Sequence, residues 1–174
     1  MAFFSHGLVR TSQYFAAMKY IQKKKFIWTR KTTTIMGRID AEIELVNGKD
    51  AEQVRDNIIG EDEMRRISIL AQVDTGSLYL CINENIQEAL KLPFIRRKRI
   101  ELADGRAAEY DFVGPLEIRF KNRIVDCAAA AVLPGNAEPL LGLLPLEEMD
   151  VIINPNRNEL IVNPEHPDYA LHKI

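Results

Sequence analysis

From about position 36 onward, hydrophobic and polar residues alternate in short runs along the chain. The clearest run is 38–46, where apolar residues at 39, 41, 43 and 45 alternate with acidic residues at 40, 42 and 44. Alternation with a period of two is typical of a strand with one buried face. The pair Asn47-Gly48 then predicts a turn that ends this strand.

Further runs of the same kind predict a chain built mostly from strands. Two short helices are expected, one capped by Asn83 and running to Leu90, the other ending near Met149. Asp104-Gly105 is a hairpin signal between two of the strands. The pattern therefore predicts an all-β fold with one or two short helices. The expected strands after the first cover 67–73, 78–82, 97–102, 107–112, 116–120, 124–132, 151–153 and 159–162.

Charge divides the 174 residues near Met36. Of the 23 basic residues, seven lie before Met36, where there is no acidic residue, and 16 lie after it, together with all 25 acidic residues. The second part therefore carries a net charge of −9, although the whole chain carries only −2. Seven of the 13 aromatic residues also lie before Met36. We expect a basic N-terminal extension over 1–35 and one folded domain over 36–174.

Three interpretations of the extension stay open. Its basic, acid-free composition with some amphipathic helical spacing resembles an organelle targeting segment. The cluster Lys23-Lys24-Lys25 beside Phe26 and Trp28 also suits a basic arm for a nucleic acid or an anionic membrane surface. The third interpretation takes Met36 as the natural start and the extension as an unstructured leader.

Composition excludes several classes of protein for the folded part. With 47% hydrophobic residues the chain can bury a sizeable core, and no apolar run approaches the roughly 20 residues of a membrane-spanning helix.

Cys81 and Cys127 are far apart, so neither a disulfide framework nor a zinc site is indicated, and we expect two small buried thiols in the cytoplasm. His6, His166 and His172 lack the spacing of metal ligands, so no metal and no cofactor are expected.

Candidate chemistry is concentrated in one motif. The apolar strand around 70–73 ends in Asp74-Thr75-Gly76-Ser77, and a second apolar stretch follows this turn. Later in the chain, after the hairpin, Leu140-Leu141-Gly142 leads into the second helix. An Asp-initiated turn between strands needs no catalytic role, but the order of these elements is more specific than the tripeptide alone.

This arrangement resembles the retropepsin-like (clan AA) aspartic proteases, of the bacterial type with a single Asp-Thr-Gly motif. The resemblance covers roughly 36–162 and implies an acid protease fold, a closed β-barrel with one lobe per chain. It also implies that Asp74 is catalytic. Because a dyad of two carboxylates is needed and only one Asp-Thr-Gly is present, the resemblance implies a homodimer with Asp74 of each chain beside the two-fold axis.

The same resemblance assigns supporting roles to the neighbouring residues. Thr75 would bond across the dimer axis, and Gly76 would let its backbone approach the carboxylate. Ser77 would donate to the ionised carboxylate and lower its pKa, so that its replacement by alanine would shift the activity optimum to higher pH. Leu140, Leu141 and Gly142 would pack behind the catalytic loop as structural support.

The hairpin tip occupies the position of the retropepsin flap, which closes over a bound peptide. It has one glycine and two charged residues, unlike the glycine-rich viral pattern, and a solvated hairpin is the alternative interpretation. The tip consists of Leu102, Ala103, Asp104, Gly105 and Arg106.

A basic run, Arg96-Arg97-Lys98-Arg99, precedes this tip. It suits an acidic substrate or phosphates, but alternation along a strand would divide it between two faces, and a solvated strand is the favoured interpretation. Because the surrounding domain is acidic, no nucleic acid is expected as a partner.

The sequence thus favours an aspartic endopeptidase that hydrolyses peptide bonds of a peptide or protein substrate as a homodimer. The alternative is a catalytically silent module of the same fold that dimerises or binds peptides, since a fold does not guarantee its chemistry.

Overall fold

The computed structural model describes residues 37–101 and 105–172. The basic extension therefore lies outside the described residues, and the boundary near Met36 stays a prediction. In chain order the elements are β1 (Asp40–Asn47), α1 (Gly48–Arg55), β2 (Arg66–Val73), β3 (Cys81–Asn83), α2 (Glu84–Leu90), β4 (Phe94–Glu101), β5 (Ala107–Val113), β6 (Leu116–Phe120), β7 (Arg123–Cys127), β8 (Ala130–Leu133), β9 (Leu140–Leu141), α3 (Leu143–Glu148), β10 (Val151–Asn154) and β11 (Glu159–Val162).

Nine of the strands form one sheet in the order β4-β5-β8-β3-β9-β2-β1-β6-β7, and β10 and β11 pair separately. The predicted fold class, mostly β with short helices, is confirmed. Among the described residues the large sheet has two edges, β4 and β7, so its hydrogen bonds do not close the barrel that the resemblance implies. It curls around a core instead, and residues of β1, β2, β3, β6 and β9 all contribute to that core.

The short strand β9 connects the two halves of the sheet. It pairs in parallel with the end of β2, Gln72 opposite Leu140 and Val73 opposite Leu141, and antiparallel with Cys81 at the start of β3. A strand from late in the chain thus lies between two strands that are consecutive in sequence. This insertion places Leu140-Leu141-Gly142 directly beside the turn between β2 and β3.

Two apolar clusters pack on opposite faces of this part of the sheet. The main core contains Leu141 and Ile82. On the other face lies what we call the Phe112 cluster. It consists of buried Cys81, Phe112 and Ala131 and of the partly buried Tyr79, Ile100, Tyr110, Ala129, Leu133 and Leu140.

Two local predictions differ from the structure. Asn47-Gly48, predicted as a turn, begins helix α1, because the side chain of Asn47 accepts the backbone N–H groups of Lys49 and Asp50 and so caps the helix. The described residues therefore contain three short helices instead of one or two. The expected strand over 124–132 is divided, since β7 pairs with β6, whereas β8 pairs with β5 and β3.

Candidate active site

Asp74 follows the last residue of β2 and lies on the face of the sheet that carries the Phe112 cluster. Ala71 and Val73 of β2 pack in or against the main core, whereas Gln72 lies opposite Leu140, a member of the Phe112 cluster. Since side chains of a strand alternate between its two faces, Asp74 continues the row of Gln72. The carboxylate is half-buried.

A tight turn follows, in which the chain folds back onto this carboxylate. The backbone N–H of Gly76 donates to Asp74 Oδ1 over 2.9 Å, and the N–H of Ser77 donates to the carbonyl oxygen of Asp74 over 3.1 Å. A Cβ on Gly76 would lie 3.2 Å from Asp74 Oδ1. The backbone of Gly76 therefore lies close to the carboxylate, and the role in a catalytic loop that the resemblance implies for Gly76 stays a prediction. Thr75 is exposed at the tip of the turn.

The turn is held from behind by β9 and the start of α3. The backbone N–H of Asp74 donates to Leu141 O over 3.0 Å, and the N–H of Leu143 donates to Ser77 O over 2.8 Å. Leu141 itself is fully buried, whereas Leu140 packs in the Phe112 cluster. Leu140 and Leu141 therefore lie directly behind the turn, and their role as support of a catalytic loop stays a prediction.

Gly142 allows the two chain segments to cross. A Cβ on Gly142 would lie 2.2 Å from Tyr79 O and 2.7 Å from Ser77 O, well inside the closest approach that real Cβ atoms show. Both obstacles are backbone atoms of the segment that follows Asp74. Only glycine therefore fits at this position.

Ser77 has a different partner from the one expected. Its hydroxyl donates to Tyr79 O over 3.2 Å and lies 3.6 Å from Cys81 Sγ. A hydroxyl carries one proton, so a group that donates to Tyr79 O does not donate to Asp74 at the same time. The geometry thus gives no support to the expected effect of Ser77 on the acidity of the carboxylate.

The thiol of Cys81 lies beside the same turn. Burial raises its pKa, the hydrogen bond with Ser77 lowers it, and the negative charge of Asp74 raises it further. Cys81 is a buried thiol, as the sequence predicts.

The predicted hairpin is formed by β4 and β5, which pair from Phe94 opposite Val113 to Glu101 opposite Ala107. Three of the predicted flap residues, Leu102, Ala103 and Asp104, lie outside the described residues. Gly105 has a φ of +78° with open space around it, and Arg106 directly precedes β5. Closure of this tip over a peptide stays a prediction.

Two side chains near the turn are not among the residues that the motif singles out. Lys98 of β4 places its Nζ 3.3 Å from the hydroxyl of Tyr79, which lies five positions after Asp74. The same ammonium lies 4.7 Å from the centre of the Tyr79 ring and 4.6 Å from that of Phe112. The basic run in the sequence was the signal for Lys98, and nothing in the sequence linked it to Tyr79.

A cleft of about 590 Å³ opens on the exposed side of the turn. Thr75 lines it together with Gly37, Ile39 and Ile153. The hydroxyl of Thr75 has no hydrogen-bond partner among residues 37–101 and 105–172. Thr75 is thus exposed at the edge of this cleft.

The carboxylate of Asp150 contacts three residues that follow β11 in the chain. Asn163 Nδ2 donates to its Oδ1 over 2.8 Å, the N–H of Leu171 donates to Oδ2 over 3.1 Å, and His166 Nδ1 lies 2.7 Å from Oδ2. The hydrogen bond from Asn163, followed by that from Leu171, lowers the pKa of Asp150 to about 2. His166 thus has a structural contact, which its position in the sequence did not indicate.

Within the described part of the chain, no group of three or more His, Cys, Asp and Glu side chains is arranged to hold a metal ion. In the same part, none of the helices has the length and apolarity needed to cross a membrane.

No family model and no curated protein matches this sequence. Among solved structures it is similar to the EIAV protease in complex with an inhibitor, with 16% identity and a TM-score of 0.44 over 67% of this chain and 92% of that one. The neighbours are retropepsin-like. A retroviral protease-like domain of Ddi1 from Leishmania major has 15% identity and a TM-score of 0.43, over 72% of this chain and 90% of that domain.

A retropepsin-like aspartic protease from Rickettsia conorii has 17% identity and a TM-score of 0.34, over 67% of this chain and 86% of that chain. Such neighbours are of the kind that the Asp-Thr-Gly motif predicts.

Proposed function

We propose that this chain is an aspartic endopeptidase that works as a homodimer. The observation that carries the proposal is the turn at Asp74. A half-buried carboxylate accepts a backbone N–H from Gly76, and the turn is held by β9 from behind while its tip is exposed. A rigid support with an accessible carboxylate is what acid and base catalysis by a carboxyl group needs.

One chain supplies one such carboxylate, and the proposed chemistry needs two. Two chains related by a two-fold axis through the exposed turn would bring both Asp74 side chains together. The hydroxyl of Thr75, which has no hydrogen-bond partner within the described part of the chain, and its position on the cleft suit a contact across that axis. Two carboxylates so close cannot both be ionised, so the pair would share one proton.

In this reaction the ionised Asp74 removes a proton from a water molecule while the protonated Asp74 of the second chain donates a hydrogen bond to the scissile carbonyl oxygen. The water oxygen bonds to the carbonyl carbon, giving a tetrahedral intermediate. The carbon–nitrogen bond then breaks and the leaving amine takes a proton from the dyad. No metal, covalent enzyme intermediate or cofactor takes part in these steps.

The test compares the wild-type chain with Asp74→Asn on a mixed peptide library between acidic and neutral pH. We expect the variant to lose about 10²–10⁴-fold in cleavage rate, the usual contribution of a positioned acid or base. Asp126→Asn is the matched control, because Asp126 is an exposed aspartate on β7 and should leave the rate unchanged. Sedimentation of the same samples should give a dimer.

Equal cleavage by wild type and Asp74→Asn would refute the dyad. Absence of cleavage by both, together with dimerisation, would support the silent module of the same fold instead. A strict monomer at the working concentration would contradict both functions.

A further inference from the structure

The basic run on β4 is divided between two faces of the β4–β5 hairpin, and in the described strands only one of these faces pairs basic with acidic residues. Arg97 lies opposite Asp111 and Arg99 lies opposite Glu109. The Arg97 guanidinium forms an ion pair with Asp111, with Nε 2.6 Å from Oδ1. Basic charge on this face is therefore matched by acidic charge on the neighbouring strand.

On the other face of the hairpin, the basic residues have no acidic residue opposite them in the described strands. Arg96 lies opposite Phe112, and Lys98 lies opposite Tyr110. Both of these aromatic residues belong to the Phe112 cluster, so this face is the one on which Asp74 lies. Among the described residues, neither Arg96 nor Lys98 has a carboxylate within salt-bridge distance.

Lys98 is the more confined of the two cations. Its ammonium donates to the Tyr79 hydroxyl and lies over the rings of Tyr79 and Phe112. An ammonium has three N–H groups, and Tyr79 takes one of them. The aromatic rings stabilise the charge, and they hold a half-buried cation beside the chain that leads away from Asp74.

We propose that Lys98, with Arg96 beside it, selects peptide substrates that carry an acidic side chain near the scissile bond. The inference rests on the proposed function, since it assigns this face to the bound peptide. A substrate carboxylate would complete the charge-assisted hydrogen bonds of Lys98. A polyphosphate or nucleic acid fits less well, because the chain after position 35 carries a net charge of −9 and would repel a polyanion.

The test uses two pools of fluorescein-labelled hexapeptides that are random except for one central residue, glutamate in one pool and glutamine in the other. We expect wild type to cleave the glutamate pool with a kcat/KM about tenfold higher, as for one charge-assisted hydrogen bond. Lys98→Met, which keeps an unbranched apolar stem but not the charge, should bring this ratio close to one. Lys98→Arg should retain the preference.

Arg99→Met is the matched control, because it removes a positive charge from the same strand on the opposite face. Its ratio should equal that of wild type. Arg96→Gln changes an exposed residue and leaves the contacts of Lys98 with the aromatic rings in place. It should weaken the preference for glutamate, so the inference can still be tested if Lys98→Met does not fold. Equal cleavage of the two pools by wild type, or an unchanged ratio in Lys98→Met, would overturn the inference.

Binding of the pools to Asp74→Asn, followed by fluorescence anisotropy, separates this inference from the proposed activity. Tighter binding of the glutamate pool without cleavage by wild type would support the acidic-peptide site and refute the endopeptidase. Equal binding of both pools would refute the site even if wild type cleaves them. Displacement of the peptides by micromolar tripolyphosphate would show that Lys98 and Arg96 bind phosphate groups, and would also refute the acidic-peptide site.

Discussion

Replacing Gly142 by alanine tests how closely the two chain segments cross behind the Asp74 turn. Gly142 has a φ of −82° and a ψ of −178°, an extended conformation that alanine adopts without strain. By itself this substitution would stabilise the protein by about 0.4–1 kcal/mol through the entropy of the unfolded chain. The effect of the new methyl group therefore comes from its surroundings.

The atoms around this methyl group belong to the backbone, so they cannot move aside as the end of a flexible side chain can. The Cβ would lie 2.2 Å from Tyr79 O, whereas an ordinary contact begins at 3.4 Å, so the segments must separate by about 1 Å. Overpacking of this kind costs about 2 kcal/mol, and loss of the bond from Leu143 N–H to Ser77 O costs about 1 kcal/mol more. After the entropic gain, we expect a loss of about 2–3 kcal/mol in the free energy of unfolding.

Urea denaturation followed by circular dichroism measures this loss. With an m value of about 2 kcal/mol per M, the midpoint should fall by about 1–1.5 M. Gly60→Ala is the control, because Gly60 is exposed and its nearest obstacle is the flexible tip of Asp62, so its midpoint should move little. If the urea midpoint of Gly142→Ala lies within about 0.2 M of the wild-type midpoint, the crossing has room for a methyl group and the reasoning is refuted.

Three further predictions concern other parts of the domain. Asn47→Ala should lower the free energy of unfolding by about 2–3 kcal/mol, since the helix cap and the buried bond to Leu90 O are both lost; a urea midpoint equal to wild type would contradict this. Asp150 has a pKa lowered to about 2, mainly by Asn163, so its stabilising effect is complete above pH ~4 and is lost as the pH falls toward 2. Amide exchange of 163–171 should accelerate over that range in wild type but not in Asp150→Asn. Cys127 is half-buried, and its desolvation raises the pKa of the thiol to about 11. Iodoacetamide at pH 8 should therefore label it far more slowly than a free thiol, and labelling at the free rate would refute the raised pKa.

Local patterns in the sequence were sufficient for the elements whose partners are close along the chain. The hairpin of β4 and β5 and the helix capped by Asn83 follow from turn and capping residues within a few positions of each other. The expected third strand, 78–82, instead begins only at Cys81, because the segment after Asp74 is occupied by its crossing with Gly142.

Patterns were insufficient where distant strands compete for one segment. The apolar run 124–132 reads as one strand, but its first half pairs with β6 and its second half pairs with β5 and β3. Helix α1 was missed for a local reason, since Asn-Gly favours both a turn and a capped helix start, and burial of Ala51 against Val46 and Met64 favours the helix.

By itself the sequence determined the mostly β fold and the position of Asp74 at the end of an apolar strand, because alternation and turn residues act within a few positions of each other. The partner of Ser77, the crossing at Gly142 and the division of the basic run into a neutralised and an uncompensated face were decided only by the tertiary structure. Each of these depends on which distant segment lies alongside, and that is set by the packing of the whole sheet, in which β9 enters between two strands that are consecutive in the chain.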